Sequence, residues 1–385
     1  METSDSGVEP QGTCLEDALA ECLESKQNKS PNYRQNLERV VTDWIGFCAD
    51  RGLECVEEVT ERHLAAYAGH LARRVEAGTS GDVDSGITAS TAWTYYDYVS
   101  SFLAWAVKWN YLAENPAAKG RPRESMPDRP SSGEYDRQYW QPEQRQAVLE
   151  FVRRRVDSAY VDPTAPPSIC HKRLRNWAFV ATIAYSGVRG GEILNDPNDP
   201  RRSGLRWTDV NLEDGTMWIL GKNQDREPAQ LPDQAAHPLE RWYNAYDPPS
   251  DDWPVFPSMH VPTLSRRLGT AIGTEERDRR TKVRGYWVVA LEAEAEPPSI
   301  TTEGGRSIMR RLSDTVPIPG LEDGEYLTLH GARRGVGETL YRERGAARAQ
   351  RTLRHADPQT TSEMYSHIDA SELAEDNTEV FEDEQ

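Results

Sequence analysis

The chain has 385 residues, more than one ordinary hydrophobic core holds, so its length predicts two domains. Its hydrophobic content of 37% excludes a globally disordered chain, and 63 acidic residues against 45 lysines and arginines give a net charge of −18. No apolar run approaches about 18 residues and the acidic N-terminus does not resemble a signal peptide, so we expect a cytoplasmic protein without membrane contact.

The basic residues are mostly arginine, because lysine is rare in this sequence. A dense acidic surface with few lysines is typical of proteins that work in molar salt, and it predicts a halophilic archaeon as the source. The alternative is an ordinary acidic cytosolic protein that avoids nucleic acid. If the first interpretation holds, the net charge does not identify the partners, and the position of the minority positive charge becomes informative.

The cysteines and histidines do not form a recognisable framework. The odd number of cysteines argues against paired disulfides, and none of them forms a C-x-x-C pair. None of the eight histidines stands at a zinc-ligand spacing from a cysteine. We therefore expect no metal and no cofactor.

The N-terminal part of the chain predicts a helical bundle. The first 14 residues are polar, and we expect them to be disordered. Residues 15–118 show apolar residues at helical spacing, with Ser30 and Pro31 as a helix start, Gly52 as a stop and Thr60 as an N-cap. This pattern predicts four or five helices packed in a small domain.

The segment 119–137 is rich in proline and glycine and has no apolar periodicity, so it predicts an extended linker. Its first part is basic within an acidic protein, because Lys119, Arg121 and Arg123 follow one another closely. These side chains belong either to a solvated linker or to a strap that lies along a phosphate backbone.

The second half, residues 138–368, predicts a mixed domain. Long helical patterns enclose a stretch with short strands on either side of turns, the first turn at Asp214 and Gly215. The predicted fold class is therefore mainly α with a small β-sheet. Residues 369–385 form an acidic tail, which either packs onto a neighbouring subunit or stays solvated.

Two turns in the second half carry basic residues that could approach a phosphate. In "AYSGVRGGEIL", glycines frame Arg189, and Glu192 follows three residues later. In "ILGKNQDREPAQLP", Lys222 lies at the tip of a predicted β-hairpin. Each signal is weak alone, since a lysine in such a turn is more often simply solvated. We interpret Glu192 as a structural residue that stabilises the arginine turn.

Near the C-terminus the chain becomes strongly basic, with seven arginines against two acids between Leu329 and His355. "LTLHGARRGVGETLY" places His330 and Arg333 three residues apart, on one face of a helix. "LRHADPQTTSEMYSHI" places His355 ten residues before Tyr365. Taken singly, these are ordinary surface, core or capping residues. The complete order of arginine, lysine, H-x-x-R, histidine and tyrosine is much more specific.

This order resembles that of the tyrosine recombinase, or phage integrase, family. "AYSGVRGGEIL" is similar to the family's first arginine box, "GKNQDREPAQLP" to its lysine hairpin, "LHGARRGVGETL" to its second box, and "LRHADPQTTSEMYSHI" to its final box. The resemblance implies the catalytic set Arg189, Lys222, His330, Arg333, His355 and the nucleophile Tyr365. It also implies a helical core-binding domain followed by a mixed α+β catalytic domain.

The resemblance implies a site-specific recombinase or integrase that cleaves and rejoins DNA without a metal, through a covalent 3′-phosphotyrosyl intermediate. The implied partner is double-stranded DNA, bound by a homotetramer on paired sites, with a monomer or dimer when free. Arginines suit a transition state with charge on the nonbridging oxygens, because their guanidinium forks remain protonated. Outside the catalytic set, we expect six basic residues to bind DNA: Lys119, Arg121, Arg123, Arg310, Arg311 and Arg334.

The sequence departs from the family pattern at two places. Arg354 stands where the usual L-G-H has glycine, and His355 and Tyr365 are ten residues apart where nine are common. Arg334 also follows Arg333 directly, so either could point inward. Two alternatives therefore remain open: a topoisomerase IB-like nicking and closing enzyme, and a catalytically weakened DNA-binding regulator that kept the fold.

Overall fold

The computed structural model describes residues 12–81, 85–129, 138–221, 224–355 and 357. Within these ranges helices predominate and three strands form one small sheet, which confirms the predicted fold class. The chain divides into two compact units, Met1–Gly133 and Glu134–Gln385. No helix in the described ranges is long and apolar enough to cross a membrane.

The first unit is a helical bundle whose helices begin where the sequence supplies caps. The side chain of Ser30 accepts a hydrogen bond from the backbone of Tyr33, and that of Thr88 accepts one from Thr91. The core is rich in aromatic residues, with Trp44 and Phe102 completely buried edge to face. The helices are α1 (Leu15–Ser25), α2 (Pro31–Ala49), α3 (Glu61–Thr79), α4 (Ala89–Lys108) and α5 (Gly120–Glu124).

The structure differs from the sequence-based boundaries at both ends of this unit. At the start, Thr13 donates to the carboxylate of Glu57 at 2.9 Å, so the end of the predicted disordered segment is ordered. At the other end, the first part of the predicted linker folds as α5, because Pro122 and Met126 are buried in the core of the unit. These apolar residues are too few to show a helical period in the sequence.

The second unit contains nine described helices, of which α7 is central and is buried along most of its C-terminal half. Its apolar residues there occupy every face because α6, α9 and α13 all pack against it. The helices are α6 (Pro142–Val161), α7 (Pro167–Ser186), α8 (Gly190–Ile193), α9 (Asp233–Tyr246), α10 (Val261–Ile272), α11 (Thr274–Glu292), α12 (Thr302–Ser313), α13 (Leu329–Arg344) and α14 (Ala346–Leu353).

The sheet of the second unit has the order β1-β2-β3 and is antiparallel throughout, with β1 at Val210–Asn211, β2 at Thr216–Leu220 and β3 at Arg226–Gln230. Leu220 pairs with Arg226, so β2 and β3 form the hairpin predicted around Lys222. The charged segment between α9 and α13 forms α10, α11 and α12.

Candidate active site

The first arginine box forms a tight turn that the side chain of Glu192 stabilises. The backbone N–H of Arg189 donates to one oxygen of Glu192 at 2.7 Å, and Arg189 Nη1 donates to the other at 2.7 Å. The Glu192 side chain is only 2% exposed, whereas that of Arg189 is 30% exposed. Glu192 therefore fixes Arg189 while leaving part of its guanidinium accessible. Gly190 allows this turn to lie against α13, because a Cβ there would come within 2.7 Å of Leu329.

Arg333 is buried and connects the ends of two helices. Its Nη1 donates to the carbonyl oxygen of Gly187 at 2.5 Å, just beyond α7, and its Nη2 donates to the carbonyl oxygen of Leu353 at the end of α14. Gly187 has a φ of 69°, the left-handed conformation that glycine accepts without strain. Its neighbour Arg334 instead donates to the carbonyl of Gln138 at 3.3 Å. Of the two adjacent arginines, Arg333 is thus the one that points inward.

His355 lies among the other basic residues of the predicted site. Burial, together with the positive charges of Arg333, Arg189 and Arg354 and the neighbouring His330, lowers the pKa of His355 to about 4. Its imidazole is therefore neutral near pH 7. The structure thus brings together four of the six predicted catalytic residues, which we call the active-site cluster: Arg189, His330, Arg333 and His355.

Arg354 contributes an ion-pair network that the sequence did not predict. It adopts a left-handed conformation with φ of 53° at the end of α14, where the related pattern has glycine. Its Nη2 donates to Glu192 at 2.6 Å and its Nε donates to Glu227 on β3 at 3.2 Å. The side chain is only 9% exposed. Arg354 therefore links the brace of Arg189 to the lysine hairpin.

A second unpredicted arginine holds the same hairpin from its other strand. Arg202 donates to the carbonyl of Gly191 in α8 and to that of Leu220 in β2, both at 2.9 Å, and to that of Gly221 at 2.7 Å. Gly221 immediately precedes Lys222. In the sequence, Arg202 is one arginine in a charged loop, and only the carbonyls that it meets in the fold distinguish it.

Two predicted catalytic residues, Lys222 and Tyr365, lie outside the described residues. The strands that flank Lys222 are described, and the backbone N–H of Gly221 donates to the carbonyl of Asp225 at 2.9 Å across the hairpin end. The acidic tail predicted at residues 369–385 also lies outside the described part of the chain.

The six residues predicted to bind DNA have different surroundings. Lys119 pairs with Glu114 at 2.5 Å, and Arg121 and Arg123 lie on α5 of the first unit. In the second unit, Arg310 pairs with Glu303 at 2.7 Å, and its guanidinium carbon lies 4.9 Å from the centre of the Tyr326 ring. Arg334 bonds to Gln138, as described above. Arg311 is exposed beside a cavity between α7, α10 and α12.

The cluster can hold a phosphodiester in a fixed orientation. A guanidinium presents planar, always-protonated donors that match two phosphate oxygens, and a neutral imidazole can donate a hydrogen bond without adding charge. His330 lies in the first turn of α13, where the free backbone N–H groups of a helix favour an anion. No group of three or more metal-ligating side chains is found in the described ranges.

Residues 168–372 match the model of the phage integrase family. The fold is similar to that of the Tn1549 transposon integrase in complex with transposon right end DNA, at 12% identity and a TM-score of 0.59, covering 94% of this chain and 100% of that one. It is also similar to the XerH site-specific recombinase bound to its palindromic difH substrate, at 17% identity and a TM-score of 0.56, covering 88% and 77%. No curated protein matches the sequence. Because the family match spans more than half of the chain, this protein belongs to the phage integrase family of tyrosine recombinases.

Proposed function

We propose that this protein is a site-specific DNA recombinase or integrase that uses Tyr365 as its nucleophile. The observation that supports the proposal most directly is the convergence of Arg189, His330 and Arg333 around a neutral His355, in a member of the phage integrase family. The proposed substrate is duplex DNA. The Tn1549 integrase and XerH, whose folds are similar, have each been seen bound to DNA.

In the proposed reaction, the hydroxyl oxygen of Tyr365 attacks the phosphorus of one phosphodiester, and its phenolic proton passes to solvent. The bond from phosphorus to the 5′ oxygen of the next nucleotide breaks, and the 3′ phosphate stays joined to the tyrosine. Lys222 gives its proton to the departing 5′ oxygen. The 5′ hydroxyl of a second strand then attacks the phosphotyrosine and returns a proton to Lys222, while Tyr365 leaves and takes up a proton from solvent. No bond is hydrolysed, so the energy of the first phosphodiester is retained.

The active-site cluster stabilises the charge that develops on the nonbridging oxygens. Arg189 and Arg333 supply fixed guanidinium donors, which cost no reorganisation at the moment of reaction. His355 donates a hydrogen bond as a neutral imidazole, since its low pKa makes it a weak base. His330 completes the set from the first turn of α13. The chemistry assigned to these residues needs no metal.

The assembly and setting are part of the same proposal. We expect a homotetramer on paired DNA sites, with a monomer or dimer when free, acting in the cytoplasm where its DNA substrate is found. The first unit is the proposed core-binding domain and the second the catalytic domain. We also propose a halophilic archaeon as the source, because the net charge of −18 with few lysines suits molar salt. Folding that is retained in molar KCl and lost in dilute buffer would support this source.

One experiment separates recombination from the two alternatives. A supercoiled plasmid carrying two copies of the DNA that flanks the protein's own coding region is incubated with the protein in high KCl. A recombinase deletes or inverts the segment between the copies. A topoisomerase-like enzyme only relaxes the plasmid, and a DNA-binding regulator leaves its topology unchanged. Relaxation without exchange would overturn the recombinase assignment.

A further inference from the structure

The second unit contains a cavity of about 650 Å³ whose lining includes no residue of the active-site cluster. It is lined by α7, α10 and α12 and by the loops that precede α10 and α12. Arg175, on its α7 side, lies eleven residues before the end of that helix at Ser186, which corresponds to about 16 Å along the helix axis. We call this space the basic cavity.

The lining of the basic cavity is strongly cationic in a chain that is strongly acidic. Four positively charged side chains and one histidine face it, and no carboxylate is among the lining residues. The five are Lys172, Arg175, Arg266, Arg311 and His260. Over the described ranges, none of the four cations forms an ion pair with a carboxylate. Among the described residues, the positive charge gathered here therefore has no carboxylate partner.

Arg175 shows that this arrangement is built into the core. It is only 3% exposed, and it is held by neutral acceptors: Nη1 donates to the carbonyl of Pro257 at 2.7 Å and Nη2 donates to Asn176 at 2.6 Å. Burial and the charge of Arg311 lower the pKa of Arg175 to about 10. Burial, Arg175 and Arg311 also lower the pKa of Lys172. These cations repel one another, and an anion in the cavity would relieve that repulsion.

The adjacent face of α12 provides an internal contrast. There Glu303 pairs with Arg306 at 3.2 Å and with Arg310 at 2.7 Å, so both arginines are neutralised within the helix. Arg311, one residue further, faces the cavity instead. Ser258, Ser307 and Thr263 add hydroxyl groups to the lining. Guanidinium forks with hydroxyl donors are the groups that recognise phosphate.

We propose that the basic cavity is a second phosphate site, and that in the working enzyme it receives a backbone phosphate of bound duplex DNA. The inference rests on the proposed function for its choice of DNA as the source of the phosphate. The cavity is open to solvent and Arg311 is exposed at its edge, so a phosphate carried on a long polymer can reach it. The site fixes the position of the duplex and takes no part in strand cleavage.

The first test measures how DNA affinity depends on salt. Binding of a fluorescent duplex of random sequence is followed by anisotropy over a range of KCl concentrations, for the wild type, Arg311→Gln and Lys172→Gln. Loss of one phosphate contact makes the log–log slope shallower by about 0.9 and weakens binding at each salt concentration. Arg306→Gln is the matched control on the same helix, and we expect it to keep the wild-type slope. Circular dichroism confirms that each variant is folded.

The second test separates DNA phosphate from free phosphate. Thermal unfolding without DNA is measured in potassium phosphate and in potassium chloride at equal ionic strength, for the wild type and the Lys172→Gln/Arg311→Gln double variant. In the first test, a shallower dependence of log affinity on log KCl concentration in both single variants, but not in Arg306→Gln, supports the proposal. If the salt dependence of DNA affinity is unchanged and phosphate raises only the wild-type melting temperature, the cavity binds free phosphate. That result would overturn DNA as the source of the phosphate. Unchanged slopes without a phosphate effect would overturn the site itself.

The recombinase assignment can fail independently of the basic cavity. If the wild type forms no covalent DNA adduct and yet shows the slope differences, the second phosphate site stands and the proposed function falls. If Arg311→Gln binds weakly but still forms the adduct at saturating concentration, the cavity acts in binding alone, as proposed.

Discussion

The active-site cluster and the basic cavity are both rich in arginine, but they hold positive charge in different ways. At the active site, buried Glu192 bonds to both Arg189 and Arg354, and Glu227 bonds to Arg354 from the hairpin. Arg333 is the exception there, because carbonyl oxygens hold it. In the basic cavity, the cations are held by carbonyl and amide oxygens or extend into solvent, and the lining has no carboxylate. Carboxylate partners fix the orientation of an arginine, whereas their absence leaves charge available for a ligand.

This difference predicts separate effects on rate and on binding. Arg333→Gln removes a buried donor from the cluster, and we expect single-turnover cleavage at saturating DNA to slow about 10²- to 10³-fold. Arg311→Gln should instead raise the Kd and leave the saturated rate near that of the wild type. Arg334→Gln is the matched control, since it changes the adjacent arginine that bonds to Gln138. Equal loss of rate in Arg333→Gln and Arg334→Gln would contradict the inward assignment of Arg333.

The hairpin contacts predict a smaller effect that has a chemical signature. Arg202→Gln loosens the carbonyl contacts next to Lys222, and a misplaced catalytic group costs up to about 10²-fold in rate. A substrate with sulfur at the 5′ bridging position releases a thiolate, which needs no proton from a lysine. We therefore expect Arg202→Gln to be slow on normal DNA and close to the wild-type rate on the sulfur substrate. If Arg202→Gln also cleaves the sulfur substrate slowly, its effect does not act through proton donation by Lys222.

Arg354→Gly restores the residue that the family pattern favours and removes the link between Glu192 and Glu227. We expect cleavage to slow about tenfold, which corresponds to ~1.4 kcal/mol, close to the contribution of one charge-assisted hydrogen bond. The free energy of unfolding should change little, because glycine relieves ~1 kcal/mol of left-handed strain while two ion pairs are lost. Arg351→Gln, an exposed arginine of the same helix, is the control. Wild-type cleavage by Arg354→Gly would show that the network is dispensable.

The last prediction concerns stability and not rate: it is the pH dependence of unfolding caused by His355. Its folded pKa of about 4 lies below its unfolded value of ~6.5, so between these values the unfolded chain binds more protons. Its contribution to stability is present above pH 6.5 and is lost as the pH falls towards 4. Urea unfolding at pH 7 and pH 5 should show a smaller loss for His355→Gln than for the wild type. The exposed His237→Gln should behave like the wild type, and equal losses in all three proteins would contradict this account.

Much of the fold could be predicted where local signals agree. The helices that carry the boxes, α7 and α13, combine apolar spacing with clear ends, and the turn at Gly215 marks the sheet. Helix α10 could not be predicted in the same way, because it buries only Leu264 and Leu268 in the core, too few residues to show a period. The short α5 was missed for the same reason.

The active-site cluster could be predicted because its residue types recur in a fixed order along the chain. Arg354 and Arg202 could not, since their partners lie far away in sequence: Glu227 is 127 residues before Arg354, and Arg202 bonds to carbonyl oxygens that every residue has. Of the cations that line the basic cavity, the sequence predicted only Arg311 as a DNA-binding residue. Its other cations come from α7 and α10, and only the fold brings them together.

The central claim is that Tyr365 forms a covalent bond to DNA within the active-site cluster. The most direct test incubates the protein in high KCl with a nicked duplex built from the DNA that flanks its coding region, followed by denaturing electrophoresis. We predict a protein–DNA adduct that is absent in Tyr365→Phe, with DNA binding retained by that variant. An adduct that persists in Tyr365→Phe, or sequence-specific binding by the wild type without any adduct, would contradict the account.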